Sequence, residues 1–374
     1  MNTLFIIGIF LSFFLQFLLL SKKNQSVPDR ILAVWMFIFG IHLFSFYIYS
    51  LGYWDRYPHL VGVTHPLPLL HGPMLYLYIV YSLKPDQKFT WRFFAHFIPF
   101  VLSYLYMIRF FFFYSAEQKV MVNHGEVNDF SIFMGVSLIA FCISGIIYPL
   151  LSYRMLGQHR RLINENYAYE EFINLNWLKY CIWGIGVIYL VAALSSILRE
   201  GLGLEVGINL DMVIYSFVIG FIFLLGYFGI RQQGIFTDVV EVDKIAETAG
   251  EYRRSGLKEE DAGFHHSKLL GLMNNKKPYL EPKLTLNMLA GELDISLNHL
   301  SQVINQHEDK NFYDFVNGYR VEEFKKRVSD RANSNYSILA IAFDSGFNSK
   351  SSFNSVFKRI SGETPSDYIR KSTQ

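Results

Sequence analysis

The sequence predicts an all-α protein with two parts, a bundle of seven transmembrane helices followed by a soluble helical domain. Hydrophobic residues make up 51% of the 374 residues, whereas charged residues make up only 18%. Long apolar blocks without period-two alternation fill the chain up to about residue 231. Beyond that position charges are frequent and no long apolar run occurs. We therefore expect the two parts to fold in different solvents, a bilayer and water.

Seven apolar blocks are long enough to cross a bilayer, which takes about 20 residues of helix. A continuous helix satisfies its own backbone hydrogen bonds and is therefore the expected form of each block. The first block lacks a positively charged start and a small-residue cleavage site, so we interpret it as an anchor rather than a signal peptide. The predicted spans are 2–20, 31–49, 65–83, 93–113, 131–153, 177–198 and 208–230.

The basic residues predict the orientation of the bundle. The joints after the first, third and fifth spans contain more lysine and arginine than the joints between them. Because basic joints remain in the cytoplasm, the N-terminus is expected outside, and seven crossings place the C-terminal part inside. The basic residues of the richer joints are Lys22, Lys23, Arg30, Lys84, Lys88, Arg92, Arg154, Arg160, Arg161 and Lys179.

A few ionisable residues interrupt the predicted outer parts of the spans. His42, His65 and His71 belong to the second and third spans, and Asp211 to the seventh. Ionisable groups inside a membrane are candidates for function, so these four residues are candidates for binding a signal or a metal. The alternative is that the histidines cap helices at the interface, or are neutral and hydrogen-bonded within the bundle.

Two polar segments are candidates for connecting the apolar part to the soluble part. The segment 159–179, between the fifth and sixth spans, has irregular apolar residues among charges and suits a helix on the membrane surface. It could equally pass a conformational change to the soluble part. The segment 231–262 is predicted to be a connector with short helices, and a dimer contact there is a hypothesis. The expected domains are therefore 1–230, 231–262 and 263–374.

Two helix-turn-helix patterns occur in the C-terminal part. In each, an amphipathic helix is followed by a tight turn and a second helix with a polar outer face. The first turn contains Asp294, which tolerates the left-handed conformation, and Ser296 is a suitable N-cap for the next helix. The second turn contains Gly346, for which positive φ is readily accessible. The expected buried residues are Leu286, Leu289, Ala290, Leu293, Leu300, Val303 and Ile304 in the first unit and Ile338, Leu339, Ala342, Phe343, Phe353, Val356, Phe357 and Ile360 in the second.

A longer amphipathic segment, 311–330, lies between the two patterns. Its apolar residues recur at helical spacing, so we predict a long helix that acts as a rigid spacer between the two units. These apolar residues are Phe312, Phe315, Val316, Tyr319 and Phe324.

The C-terminal part resembles the DNA-binding domain of the AraC/XylS family of bacterial transcription regulators. NHLSQVIN, NFYDFVNGYRVEEFK, SILAIAFDSGFNSKSSFNSVFKR and SGETPSDYIR carry the resemblance, which covers most of 267–371. The family's two helix-turn-helix units, joined by a long helix, enter successive major-groove segments of promoter DNA. The apolar part resembles membrane-bound members of this type in its organisation and in HGPMLYLY and HFIPF. This resemblance implies a location in the bacterial inner membrane.

The resemblance places the DNA-reading side chains on the outer faces of the two second helices. Asn and Gln can form two hydrogen bonds with adenine, and Lys can donate to guanine. Lys358 and Arg359 are better suited to phosphate contacts, which position a protein without reading sequence. A solvated polar face is the alternative for either helix taken alone. The predicted DNA-binding residues are Asn298, Ser301, Gln302, Asn305, Lys350, Ser351, Asn354, Ser355, Lys358 and Arg359.

No catalytic or metal-binding motif occurs, such as a phosphate-binding glycine loop, H-E-x-x-H or paired cysteines. Cys142 and Cys181 lie within apolar blocks and are interpreted as buried small residues. We therefore expect no enzyme and no cofactor, but a membrane-tethered regulator. Its expected partners are promoter DNA, the bilayer and an unknown signal ligand, with a homodimer as a further hypothesis. The alternatives are a transporter or lipid-acting enzyme with an appended DNA-binding domain, and a bundle that only anchors the domain.

Overall fold

The computed structural model describes residues 2–84, 87–88, 90–127, 129–169, 175, 177–201, 209–231, 259–330 and 335–372. These residues contain sixteen α-helices and no β-strand, and an isolated bridge joins Tyr167 to Thr285. The prediction of an all-α protein is confirmed for this part of the chain. The chain divides into two compact units, one of Met1–Leu156 with Leu175–Phe236 and one of Gly157–Asn174 with Thr237–Gln374.

The first unit is a bundle built mainly from long apolar helices. The second helix begins at a capping box, in which the Ser26 side chain accepts from the Asp29 N–H and Asp29 accepts from the Ser26 N–H. The helices are α1 (Asn2–Leu20), α2 (Val27–Ser50), α3 (Tyr53–Arg56), α4 (Pro68–Leu83), α5 (Ile98–Phe113), α6 (Ala116–Asn123), α7 (Ser131–Asn166), α8 (Trp177–Ser196) and α9 (Leu210–Arg231). The division between the two units falls within α7.

Six helical segments of the described chain are long and apolar enough to cross a membrane. They correspond to all the predicted spans except the third, so the count of seven is not confirmed. The third predicted span is α4, whose 16 residues extend about 24 Å, less than the roughly 30 Å core of a bilayer. Hydrogen bonds of the i to i+3 type, from the Leu67 N–H to the Thr64 carbonyl and from the Leu69 N–H to the Pro66 carbonyl, connect the preceding turn to the start of the helix.

The second unit has two hydrophobic cores that share one helix. Its helices are α10 (Glu259–Asn275), α11 (Leu286–Leu293), α12 (Leu297–Glu308), α13 (Phe312–Ser329), α14 (Ile338–Asp344), α15 (Lys350–Ser361) and α16 (Pro365–Ser372). Helix α13 places Phe312 and Phe315 in the core around α11 and α12. The same helix places Val321 and Phe324 in the core around α14 and α15. It therefore connects two helix-turn-helix units as the sequence predicts.

The two turns have the backbone conformations expected from their residues. Asp294 ends α11 in the left-handed region with φ 56° and ψ 47°, and Ser296 caps α12 by accepting from the His299 N–H. Gly346 has φ +94° and lies against the segment 279–280. A Cβ at Gly346 would overlap the Tyr279 carbonyl oxygen, so glycine is required there by both conformation and space.

We expect Gly346→Ala to lower the free energy of unfolding of the second unit by about 2–4 kcal/mol. Gly362→Ala is the matched control, because Gly362 also has positive φ, +77°, but a Cβ there would meet no atom within 4 Å. The control should cost only the backbone strain, about 1 kcal/mol. Urea-induced unfolding of the full-length variants measures both changes. Equal destabilisation by the two substitutions would show that the approach to Tyr279 is not tight.

Three residues of the predicted buried stripes are instead exposed. Phe343 is 42% exposed and Ile360 is 40% exposed, and Ile338 is also on the surface. The reason is that α14 turns Ile341 and Ala342 inward, and Phe347, which follows the turn, fills the core between α14 and α15. The other residues predicted to be buried in α11, α12 and α15 are buried.

The predicted connector, 231–262, lies outside the described residues except for Arg231 and 259–262. Its short helices and the dimer contact remain predictions.

Candidate functional site

The outer face of α15 presents all six residues predicted for DNA binding in the second unit. Lys350, Ser351, Asn354, Ser355, Lys358 and Arg359 are each exposed. The helix is oriented by burial of its opposite face, and Ser349 caps its start by accepting from the Ser352 N–H. The residues 349–361 include three basic side chains and no acidic one. This face therefore combines hydrogen-bonding groups with positive charge, as a DNA-binding helix requires.

The Arg359 side chain is engaged within the protein. Its Nη1 forms an ion pair with Asp314, and the guanidinium lies 5.6 Å from the centroid of the Tyr313 ring. Both partners belong to α13, so in this conformation Arg359 ties α15 to the spacer helix. Its contact with a phosphate remains a prediction.

The face of α12 is less exposed and carries no Lys, Arg, Asp or Glu over 296–307. Asn305 is exposed and donates to the Ser301 hydroxyl at 3.3 Å, whereas Asn298 and Gln302 are half-buried. Lys310, which could supply charge near this helix, has its Nζ 3.8 Å from the Glu308 carboxylate. We therefore expect α15 to contribute more of the electrostatic part of DNA affinity than α12.

A buried arginine on α13 organises the second unit, and sequence reasoning missed it. Arg320 is 1% exposed and donates to four backbone carbonyls, of Ala168 (2.7 Å), Tyr279 (2.8 Å), Glu281 (2.7 Å) and Pro282 (3.4 Å). Burial lowers its pKa to about 10, so the guanidinium remains charged at neutral pH. Its position in the sequence could have indicated its burial, because Arg320 lies four residues from both Val316 and Phe324 and therefore on the apolar face of the helix.

The Ala168 carbonyl is the most distant of these acceptors along the chain. It also accepts from the Asn317 side chain at 3.1 Å, while the Ala168 N–H donates to the Leu284 carbonyl at 3.1 Å. Ala168 is 1% exposed and belongs to the core around α11 and α12. Ala168, which belongs to the segment between the fifth and sixth predicted spans, therefore packs into the helix-turn-helix unit. Both roles considered for that segment remain predictions.

A cavity of about 570 Å³ lies within the first unit, and the four residues predicted to sense a signal all line it. His42 Nδ1 lies 3.3 Å from His71 Nε2, and Asp211 pairs with Arg199 at 3.1 Å. The buried His65 Nε2 has no hydrogen-bond partner within the described part of the chain. The same part contains no group of three or more His, Cys, Asp or Glu side chains that could hold a metal ion.

Comparison with known proteins identifies the C-terminal domain. Residues 289–371 match the family model described as a helix-turn-helix domain. The HTH-type transcriptional regulator GlxA of Rhizobium meliloti (strain 1021) is 28% identical over 128 residues, which are 34% of this chain and 38% of that protein. The chain thus spans about two-fifths of the length of this curated relative. The C-terminal part carries a helix-turn-helix domain of the AraC type, as its sequence indicates.

A solved structure, described as that of a protein of unknown function from Listeria innocua, is also similar. It is 25% identical with a TM-score of 0.25, and the match covers 28% of this chain and 93% of that chain.

Proposed function

We propose that this protein is a transcription regulator tethered in the bacterial inner membrane. Its apolar unit senses a signal, and its two helix-turn-helix units bind promoter DNA from the cytoplasmic side. The helix-turn-helix domain supports the binding of DNA, and the six long apolar segments support the membrane location. The protein needs neither a catalytic step nor a cofactor for this function.

The observation that carries the proposal is the docking of Ala168 in the helix-turn-helix unit. Helix α7 ends at Asn166, two residues before Ala168, and it is also one of the apolar segments long enough to cross a membrane. A change in the bundle that pulls on this segment would compete with the hydrogen bonds of Asn317 and Arg320. Since useful switching needs only a few kcal/mol of difference between two states, a few such bonds are sufficient.

The proposed topology has seven crossings with the N-terminus outside. Helix α4 is the short crossing, and most of its side chains are buried by other helices, so it need not match the thickness of the bilayer. The basic joint after α4, with Lys84, Lys88 and Arg92, supports a cytoplasmic position for its C-terminal end. If α4 did not cross, the two ends of the chain would lie on the same side.

We extend the proposal to a homodimer, because two tethered domains would gain effective concentration on paired DNA sites.

Occupancy of DNA in the native cells tests the proposal. The full-length protein would be crosslinked before lysis and its bound DNA sequenced, beside Lys350→Ala and Asn354→Ala variants. We expect discrete peaks that share a motif, and a loss of about 1–3 kcal/mol in affinity for each variant, or roughly 5- to 150-fold.

Lys326→Ala is the matched control, since it removes an exposed lysine from α13 rather than from α15. The control should keep the peaks of the parent protein. Peaks that survive in both α15 variants would remove these residues from the reading face. Intact protein in the membrane without peaks, under every growth condition tried, would contradict the proposed function.

A further inference from the structure

A chain of hydrogen bonds with a defined direction begins at Trp35 and continues through His71, His42 and Tyr215, which line the cavity of the first unit. Trp35 Nε1 lies 3.1 Å from His71 Nδ1, and His71 Nε2 lies 3.3 Å from His42 Nδ1. His42 Nε2 in turn lies 3.3 Å from the Tyr215 hydroxyl. Trp35 is fully buried, and the Tyr215 ring is held by stacking on Phe46 with centroids 3.9 Å apart.

The chemistry of the first donor determines every proton in this chain. An indole N–H can only donate, so His71 Nδ1 must accept and His71 must carry its proton on Nε2. His71 Nε2 therefore donates to His42 Nδ1, which leaves the proton of His42 on Nε2. This proton is donated to the Tyr215 oxygen. Both histidines are consequently neutral, and the Tyr215 hydroxyl hydrogen points away from His42.

The Tyr215 hydroxyl thus has a donor left for the cavity. Tyr189, which also lines the cavity, differs because its hydroxyl already donates to the Pro68 carbonyl at 3.1 Å. Ser45 and Thr64 in the wall bond each other at 2.8 Å, which uses one of their two hydroxyl hydrogens. A hydroxyl hydrogen that faces a largely apolar cavity without an acceptor is costly, so a ligand that supplies an acceptor is favoured.

The rest of the wall indicates an uncharged, largely apolar ligand. Among the described residues that line the cavity, the charged ones are Arg199 and Asp211, which pair with each other. A charged ligand would therefore lose water without gaining a counter-ion, which is unfavourable. Aromatic and aliphatic side chains cover much of the wall, and about 570 Å³ lies in the range of cavities for small molecules. These apolar side chains include Phe39, Phe46, Phe110, Phe133, Ile185 and Val218.

We propose that this cavity binds a neutral, mainly apolar molecule whose carbonyl oxygen accepts a hydrogen bond from the Tyr215 hydroxyl. Ketones, esters and lactones share this chemistry. The role of such a molecule as the signal rests on the proposed function, whereas its binding does not.

Binding of 2-undecanone and undecane to the full-length protein in phosphatidylcholine nanodiscs tests the inference. Tryptophan fluorescence reports the titration, because Trp54 lines the cavity. The measured quantity is the ratio of the Kd for undecane to the Kd for 2-undecanone. Partition of the two ligands into lipid affects this ratio equally in every protein variant, so a difference between variants reports the protein. We expect Tyr215→Phe to reduce the preference for the ketone about three- to tenfold, the effect of one hydrogen bond. Tyr227→Phe, on the same helix but outside the cavity wall, should leave the ratio unchanged.

Two outcomes would overturn the inference. One is an equal ketone preference in the parent protein and in Tyr215→Phe. The other is tighter binding of undecanoate than of 2-undecanone, which would show that the cavity takes an anion. No DNA is present in this assay, so its result is independent of the occupancy experiment. If the protein prefers the ketone but occupies no DNA, the ligand proposal stands and the regulatory proposal is contradicted. If the protein occupies DNA but shows no ketone preference, only the ligand proposal is contradicted.

Discussion

Replacing Arg320 by alanine is expected to destabilise the second unit by about 3–5 kcal/mol. The substitution removes the charged donor from the carbonyls of Ala168, Tyr279 and Glu281. The Ala168 carbonyl keeps its bond from Asn317 and the Glu281 carbonyl its bond from the Leu284 N–H, whereas the Tyr279 carbonyl is left without a donor among the described residues. Hydrogen bonds from a charged donor contribute about 1.5–3 kcal/mol each, and an unsatisfied buried acceptor costs about 1–3 kcal/mol. Because folded domains are stable by only about 5–15 kcal/mol, this loss is a large part of the total.

Pulse proteolysis of the full-length protein across a urea series measures the loss as a shift in the unfolding midpoint of the second unit. Arg320→Lys should recover only part of the stability, since one ammonium lacks the planar set of donors that reaches carbonyls on two segments at once. Lys326→Ala, which removes an exposed cation from the same helix, is the control and should change the midpoint little. Equal midpoints for Arg320→Ala and this control would show that the carbonyls do not depend on Arg320.

Replacing Ala168 by lysine is expected to release the segment 163–169 from the second unit. The new ammonium would be buried without a partner, next to the Arg320 guanidinium that holds the Ala168 carbonyl at 2.7 Å. An uncompensated buried charge costs about 3–5 kcal/mol. The three hydrogen bonds at Ala168 contribute about 0.5–1.5 kcal/mol each, rising to about 3 kcal/mol for the bond from the charged donor Arg320, so the buried charge offsets most of what they contribute together. The segment should therefore leave the core rather than bury the charge.

Hydrogen exchange of the full-length protein measures this release. We expect amides in peptides covering 163–169 and 283–286 to exchange about a hundredfold faster in Ala168→Lys. Gln158→Lys is the control, because it adds the same charge at an exposed position of α7. Faster exchange confined to these peptides would support release of the segment 163–169 without unfolding of the DNA-binding helices. Faster exchange throughout α13 and α15, or no change in exchange at all, would contradict such an independent release.

Local features of the chain were sufficient to predict most of the helices. The first helix begins at Asn2 and ends at Leu20, the bounds of the first predicted span. The turn at Asp294, the cap at Ser296 and the spacer helix α13 also follow from residues within a few positions of one another. Helical spacing predicted the wrong buried residue where a more distant side chain fills the core. In the second helix-turn-helix unit Phe347, beyond the turn, is buried in place of Phe343.

The candidate sites were predicted as residue types but not as arrangements. The sequence identified His42, His65, His71 and Asp211 as candidates, but it did not predict the cavity that all four line. It also did not predict the hydrogen bonds of Trp35 and Tyr215. The surface of α15 was predicted in full, although the engagement of Arg359 by Asp314 was not.

The sequence by itself determined where this chain is apolar, where its helices begin and turn, and which helix faces are polar. These properties depend on side chains one or two helical turns apart, so they can be read along the chain. Only the tertiary structure decided that Arg320 holds the carbonyl of Ala168, 152 positions away, and that Tyr215 completes a chain beginning at Trp35. Such pairs form because the packing of several helices brings distant groups together, and no local pattern records which partner each group will meet.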